Sequence, residues 1–210
     1  MERSYTAQDF CDEPNVSRET FEAFTIWHNL LLKWNRRINL VSPAALESYW
    51  LRHALDSWQI TEFLTEGDIE VLDLGSGAGF PGLAIAIALK ERGTGHVTLV
   101  ESAGKKANFL RTVIRDLALP VQVWANRAEK LPSKPYSLIT ARAFAPLPRL
   151  LSYAQPFWGS KTKAVLLKGE TVSEELTEAR KYWTFDSRET QSQSDMSARI
   201  LHIQDLASRT

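Results

Sequence analysis

The residues best suited to chemistry lie between Glu70 and Gly82, E-V-L-D-L-G-S-G-A-G-F-P-G. Val71, Leu72 and Leu74 form a short apolar run that breaks into glycines, the pattern of a buried parallel strand leaving a sheet. Pro81 suits the first turn of a following helix, and Leu83 to Leu89 is apolar on nearly every side, as a helix packed on a sheet requires. Gly75, Gly77 and Gly79 open backbone angles closed to other residues and let a ligand approach the main chain. A tight strand-to-helix turn with no ligand would need fewer glycines. The stretch therefore reads as a nucleotide-type pocket.

Two patterns overlap in it. Gly77, Gly79 and Gly82 spell G-x-G-x-x-G, and the acid Glu101 lies about 20 residues further on, as in a dinucleotide fingerprint. That reading makes the chain an NAD-type oxidoreductase, although no hydride-transfer site is evident. Asp73 argues against it, because a carboxylate two residues before the first glycine has little reason to stand beside an anionic pyrophosphate. S-adenosylmethionine carries a sulfonium and an ammonium group, so an acid followed by G-x-G-x-G suits it better.

The elements that must hold these residues can be read outward from the glycine turn. From Asp68 onward strands and helices alternate, which calls for a parallel sheet covered on both faces. Further strands are predicted at 96–100, 121–125, 136–140 and 163–167, and the segments Tyr182 to Phe185 and Arg199 to Ile203 suggest a weak antiparallel pair. The expected class is α/β, a Rossmann-like sheet that is mostly parallel with an antiparallel last strand and helices on both faces. Glu101 then ends the second strand, at the sheet edge where such folds bind ligands. There it could accept hydrogen bonds from both ribose hydroxyls, or simply be a solvated loop acid. The helix after it turns Phe109, Leu110, Val113, Ile114 and Leu117 inward and leaves Lys105, Lys106, Arg111 and Arg115 outside with only Asp116 near them. Such a row is either a phosphate-binding patch or an ordinary solvated face.

Residues 1–66 are expected to form a helical extension, and 67–210 the sheet domain. Phe21, Phe24, Trp27, Leu31, Trp34 and Ile38 recur at helical spacing after a capping Ser17. A second helix is predicted to start at Ser42 and Pro43, with Trp50, Leu51, Ala54, Leu55 and Trp58 on its apolar side. On that helix Arg52, His53 and Asp56 share a face. They could be catalytic, but a polar cluster stitching the extension to the sheet domain is the plainer role.

Composition narrows the classes further. The 25 basic and 25 acidic side chains cancel, so any RNA or DNA binding must come from local patches. One cysteine, Cys11, allows no internal disulfide and no cluster of cysteine metal ligands, which favours a reducing compartment, by default the cytoplasm. No apolar run approaches the roughly 18 residues of a membrane span. A non-enzymatic RNA-binding module would keep the basic helix but have no need of Asp73 and Glu101.

Six stretches, K-W-N-R-R-I-N-L-V-S, W-L-R-H-A-L-D-S, V-L-D-L-G-S-G-A-G-F-P-G, E-S-A-G-K-K-A-N-F-L, A-R-A-F-A-P-L and L-L-K-G, resemble the bacterial glucose-inhibited division protein B family in order and spacing from about residue 20 to 203. Members methylate N7 of a guanosine in small-subunit (16S) ribosomal RNA with S-adenosylmethionine. The resemblance implies a cofactor site that includes Gly75 and Phe80, with Glu101 on the ribose, Ala128 and Glu129 beside the adenine, and Arg142 at the rim facing RNA. With the turn residues Asp73, Gly77 and Gly79 these make the expected cofactor set. Lys105, Lys106, Arg111, Arg142 and Lys168 make the expected RNA-binding set, and Phe144 could stack on a base. No metal is implied, and a monomer is the simplest assembly. Guanine N7 has an in-plane lone pair and no proton to lose, so the reaction needs alignment more than a base. Arg142 is accordingly expected to position the substrate, with no general base beside it.

Overall fold

The computed structural model describes residues 4–209. The chain opens with α1 (Ala7–Cys11), α2 (Arg18–Asn35) and α3 (Pro43–Glu47). Ser17 caps α2 by accepting a hydrogen bond from the Thr20 N–H, as its side chain and position require. Phe24, Trp27 and Leu31 are fully buried along one stripe of that helix.

The predicted second helix is not continuous. Ser42 caps only the short α3, and the path resumes as a π-helix over Trp50–Leu55, a single α turn, α4 (Asp56–Trp58), and a 3-10 turn over Gln59–Phe63. The wider π turn carries three consecutive side chains, His53, Ala54 and Leu55, into buried positions. Arg52 stays exposed, while Asp56 is half-buried, and both line one cavity.

Seven strands follow with four helices between them: β1 (Glu70–Leu74), α5 (Gly82–Arg92), β2 (His96–Val100), α6 (Gly104–Leu117), β3 (Val121–Trp124), β4 (Leu138–Arg142), α7 (Leu147–Ala154), β5 (Lys163–Lys168), α8 (Val172–Ala179), β6 (Trp183–Gln191) and β7 (Arg199–Ser208). They form one sheet in the order β3-β2-β1-β4-β5-β7-β6, in which β7 runs antiparallel to both neighbours. Alternation along β1 sorts its side chains: Val71 joins the cluster built with α2, α5 and α6, whereas Leu72 and Leu74 join the one built with α7 and α8. The strand order reverses between β1 and β4, so the crevice for a ligand opens where Gly75 and Arg142 emerge.

Phe10, Phe24 and Trp27 belong to the same buried cluster as Leu83 to Leu89 of α5, so the N-terminal helices share their core with the sheet. Pro81 stands at the N-cap of α5 after a cis Phe80–Pro81 bond, one residue before the first turn where it was expected. β4 starts two residues later than expected: the Tyr136 N–H donates to the Phe157 carbonyl outside the sheet, and Ser137 makes the first bond to β1, at the Glu70 carbonyl. β6 and β7 span 9 and 10 residues, longer than the expected pair. β6 is an edge strand with mostly exposed polar side chains, which leaves little apolar signal to read.

Candidate active site

A cavity of about 590 Å³ opens at the carboxyl ends of β1, β2 and β4. Its floor is the glycine turn. The N–H groups of Gly75 and Ser76 both donate to the Val100 carbonyl at 3.0 Å, which closes the turn against the end of β2. Gly75, Gly77 and Gly79 have φ of 72°, 56° and 101°, a region that favours glycine. At Gly77 a Cβ would meet only the Gly75 carbonyl oxygen at 3.9 Å, so it would project into open space. At Gly75 a Cβ would fall 2.2 Å from Cδ2 of Phe144, so the missing side chain makes room for that ring.

Glu101 follows β2 directly and is nearly buried on the cavity wall. Its Oε2 accepts from the Gly77 N–H at 2.9 Å and its Oε1 from the Ala103 N–H at 2.7 Å. Each oxygen retains a lone pair for a ligand hydroxyl. Ala128 and Glu129 lie on the same wall, as do Asn126, Arg127, Lys106 and Phe80. Leu40 and Val41 complete it from the N-terminal extension. They are held there by Asn35, whose Oδ1 accepts from both their N–H groups and whose Nδ2 donates to the Val41 carbonyl. The residues present fit a nucleoside, with an open glycine cradle and a carboxylate with free acceptor capacity, on a wall that carries Lys106, Arg127, Arg142 and Arg149 against Glu101 and Glu129.

Arg142 ends β4 and marks the opposite side of the crevice. Its Nη1 donates to the Arg52 carbonyl and to Asp56 Oδ2, both at 2.9 Å, and its Nη2 donates to His53 Nδ1 at 2.9 Å. The guanidinium also lies over the Phe80 ring, 4.8 Å from its centroid. Phe80 is itself stacked on His53 at 4.5 Å and on Trp27 at 4.3 Å. Burial, helped by the charges of Arg142 and Arg52, pushes the His53 imidazole down to about 3, so it is neutral and accepts from Arg142. The cluster stitches the extension to the sheet, with Arg142 as the thread.

Asp56 is held from a second side by the loop between β6 and β7. The Ser194 hydroxyl donates to Asp56 Oδ1 at 2.6 Å, and Arg52 pairs with Asp195 at 3.0 Å. Nothing in the sequence pattern pointed to Ser194, because it lies 138 residues from its partner in a stretch with no periodicity. Asn35, Leu40 and Val41 were legible only as part of K-W-N-R-R-I-N-L-V-S. An adjoining cavity of about 510 Å³ shares Arg142, Ala143 and Phe144 with the first and adds Asp56, Ser194 and Lys168. Ala143 there has φ of 50°, a strained angle for a residue with a side chain.

Asp73 is placed differently from the expectation that it faces the ligand. It points to the α5 side of β1, is fully buried and lies off the cavity wall. A Cβ on Gly82 would come within 2.7 Å of its Oδ2, so the carboxylate sits under the first turn of α5, where the helix N-terminus favours a negative charge. Neither oxygen has a hydrogen-bond partner among the described residues. Burial dominates and lifts the group to about 7, while Ser76, Arg142 and the Gly82 N–H pull the other way. Gly79 likewise turns away from the cavity: a Cβ there would strike Leu83 and Trp27.

The expected RNA-facing cations do not form one set. Lys106 lies on the wall of the larger cavity, whereas Lys105 is exposed outside it and Arg111 is exposed and donates to Asn108. Lys168 is almost buried in an ion pair with Glu175 and donates to the Ala145 carbonyl, so its charge is spent within the protein.

Comparison with known proteins bears on the fold and the family. Solved structures of similar fold include a SAM dependent methyltransferase from Aquifex aeolicus, 16% identical with a TM-score of 0.56, which covers 85% of this chain and 98% of that one. Another is M. jannaschii TYW2 in complex with AdoMet, 12% identical with a TM-score of 0.57, covering 83% of this chain and 80% of that one. Curated proteins named ribosomal RNA small subunit methyltransferase G are far more similar in sequence. That of Bartonella tribocorum is 46% identical over 93% of this chain and 92% of its own length, and that of Caulobacter vibrioides is 45% identical over 89% and 85%. The family model GidB, rRNA small subunit methyltransferase G, matches residues 20–204, and the chain belongs to that family.

Proposed function

We propose that the protein transfers a methyl group from S-adenosylmethionine to N7 of a guanosine in small-subunit ribosomal RNA. The observation that carries this reading is the guanidinium of Arg142, fixed at the junction of the two cavities. Three of its N–H groups are committed to Arg52, Asp56 and His53. Of the five a guanidinium has, Nε–H and one Nη2–H remain for a substrate acceptor. A permanent cation with free donors can orient a phosphate or the O6 edge of guanine, and it cannot act as a base.

S-adenosylmethionine supplies an electrophilic methyl group on a positively charged sulfur. The chain's own residues provide the rest. Glu101 would hold the ribose hydroxyls, Ala128 and Glu129 would flank the adenine, and the glycine turn would leave the floor open beneath the methionine end. The smaller cavity would admit the target base, where Phe144 would offer a face for stacking and Arg142 would orient the guanine toward the cofactor cavity. Guanine N7 surrenders no proton, so no base is needed, and His53 lies off both cavities with its Nδ1 on Arg142. In this reading residues 1–66 are an extension that completes the substrate side of the unit formed by 67–210. A monomer in the cytoplasm goes with it.

The test is mass spectrometry of digested small-subunit RNA after incubation with the protein and isotopically labelled S-adenosylmethionine. Label in 7-methylguanosine is expected. Label on a ribose hydroxyl or an exocyclic amine would overturn the assignment.

A further inference from the structure

Between α2 and α6 lies a cleft of about 480 Å³ whose apolar floor is Leu30, Trp34 and Ile38 and whose rim carries Lys33, Arg37, Thr112 and the ion pair of Arg115 with Asp116. Trp34 stands edge-on to Phe109 of α6, with ring centroids 5.8 Å apart, so the core fixes the orientation of its indole. Lys33, Arg36 and Arg37 are exposed, as is Lys105 on the facing helix. None of these four, nor Lys106, has an ion-pair partner among the described residues. In a chain whose formal charge is zero, five unpaired cations on two adjoining helices and their flanks make a local positive field that the net charge conceals.

The cleft is joined to the cofactor cavity along both helices. α6 carries Lys106 on the cavity wall and Arg115 on the cleft. Those nine residues span about 14 Å at the α-helical rise. α2 ends at Asn35, which pins Leu40 and Val41 to the same cavity wall.

We propose that this seam binds the RNA strand flanking the target nucleotide, with phosphates along the cations and an unpaired base in the cleft against Trp34. The proposal rests on the RNA-methylation reading and names the surface that reading lacks. A floor of Trp34, Leu30 and Ile38 inside a rim of net positive charge matches an unstacked nucleotide, which presents an apolar face and a negative backbone together. An acidic protein segment would need only the rim. A lipid surface would need apolar groups that project, whereas these are recessed.

The test compares Lys33→Glu/Arg37→Glu and the milder Lys33→Gln/Arg37→Gln with wild type. Arg18→Glu, 15 residues before Lys33 on α2 and about 22 Å away, serves as control. Affinity for small-subunit ribosomal RNA is measured across salt, with S-adenosylmethionine affinity by calorimetry and folding by circular dichroism. The Glu pair should weaken RNA binding at least about tenfold at 0.1 M salt, and the Gln pair should flatten the log–log salt slope by about 1.4, or 0.7 per lost phosphate contact. KM for RNA should rise while kcat and cofactor affinity hold. RNA affinity and slope equal to wild type, or an equal loss in Arg18→Glu, would overturn the seam. So would a loss confined to an acidic peptide or anionic vesicles. Wild type that methylates RNA beside unaffected seam variants removes the seam alone. Wild type that binds RNA at the seam yet transfers no methyl group removes the functional reading and keeps the seam.

Discussion

Nη2 of Arg142 lies 2.9 Å from Nδ1 of His53, so the imidazole must present a lone pair there and carry its proton on Nε2. Nε2 is buried without a hydrogen-bond partner among the described residues. The pairing thus depends on a neutral histidine, and burial keeps it neutral down to about pH 3.

This histidine and Asp73 should mask each other in acid titration. His53 is lowered to about 3, so between there and its unfolded value near 6.5 the unfolded chain binds the extra proton, and stability falls as pH falls. Asp73 is raised to about 7, so from its unfolded value near 3.9 up to there the folded chain binds the extra proton, and stability falls as pH rises. Each slope is about 1.4 kcal/mol per pH unit, and from roughly pH 4 to 6.5 they cancel. Urea unfolding of Asp73→Asn should show stability dropping toward acid, and His53→Gln should show it dropping toward neutrality. Parallel pH profiles for the two variants would refute the compensation.

Arg142→Ala should leave a folded protein that methylates ribosomal RNA at least about a hundredfold more slowly, the scale of effect expected when a positioned substrate is misplaced. Ser194→Ala, which loosens Asp56, should cost less. Ser194 lines the smaller cavity and also holds Asp56, the partner of Arg142; if it acts through that hydrogen bond, the double variant should be no slower than Arg142→Ala alone. Additive losses in single-turnover rates would show that Ser194 acts by another route.

Glu101→Ala removes a charged acceptor from the proposed ribose site and should weaken S-adenosylmethionine binding by about 1.5–3 kcal/mol, roughly tenfold to more than a hundredfold. Gly75→Ala should weaken it as well, because the new Cβ meets Phe144 at 2.2 Å. Phe144→Ala introduced beside Gly75→Ala should recover part of that loss in calorimetry. No recovery would assign the defect to the backbone angle alone.

Lys105 and Lys106 are neighbours in sequence that the structure separates. Lys106→Ala should lower cofactor affinity, since Lys106 lines the cavity, while Lys105→Ala should change only RNA binding and its salt slope. Equal effects of both on cofactor affinity would contradict this division.

The sheet was legible because its strands are short apolar runs bounded by glycine and polar turns; β2 spans His96–Val100, as the sequence predicts. The glycine turn and Glu101 were legible for the same local reason. Asp73 was misplaced because sequence gives its spacing from Gly75 but not which face of β1 it occupies relative to the loop. The Arg142 cluster was half legible: Arg52, His53 and Asp56 announced themselves at helical spacing, but their partner lies 86 to 90 residues away. Lys168 looked available since L-L-K-G does not reveal Glu175 folding back from α8. Periodicity also cannot report the π turn, whose extra residue disturbs the very repeat by which helices are recognised.

That π turn over Trp50–Leu55 constrains how this segment can change. Deleting one residue from it would let the segment wind as ordinary α-helix, because five residues at about 100° each turn through nearly the same angle as six at the wider π pitch. Asp56 and Trp58 would keep their directions toward Arg142 and toward Phe24, which Trp58 meets edge-on at 5.9 Å. The loss would fall on one of the three consecutive buried side chains His53, Ala54 and Leu55. A second deletion would have no wide turn to absorb it and would rotate everything downstream by about 100°. The segment should therefore tolerate the loss of one residue far better than the loss of two.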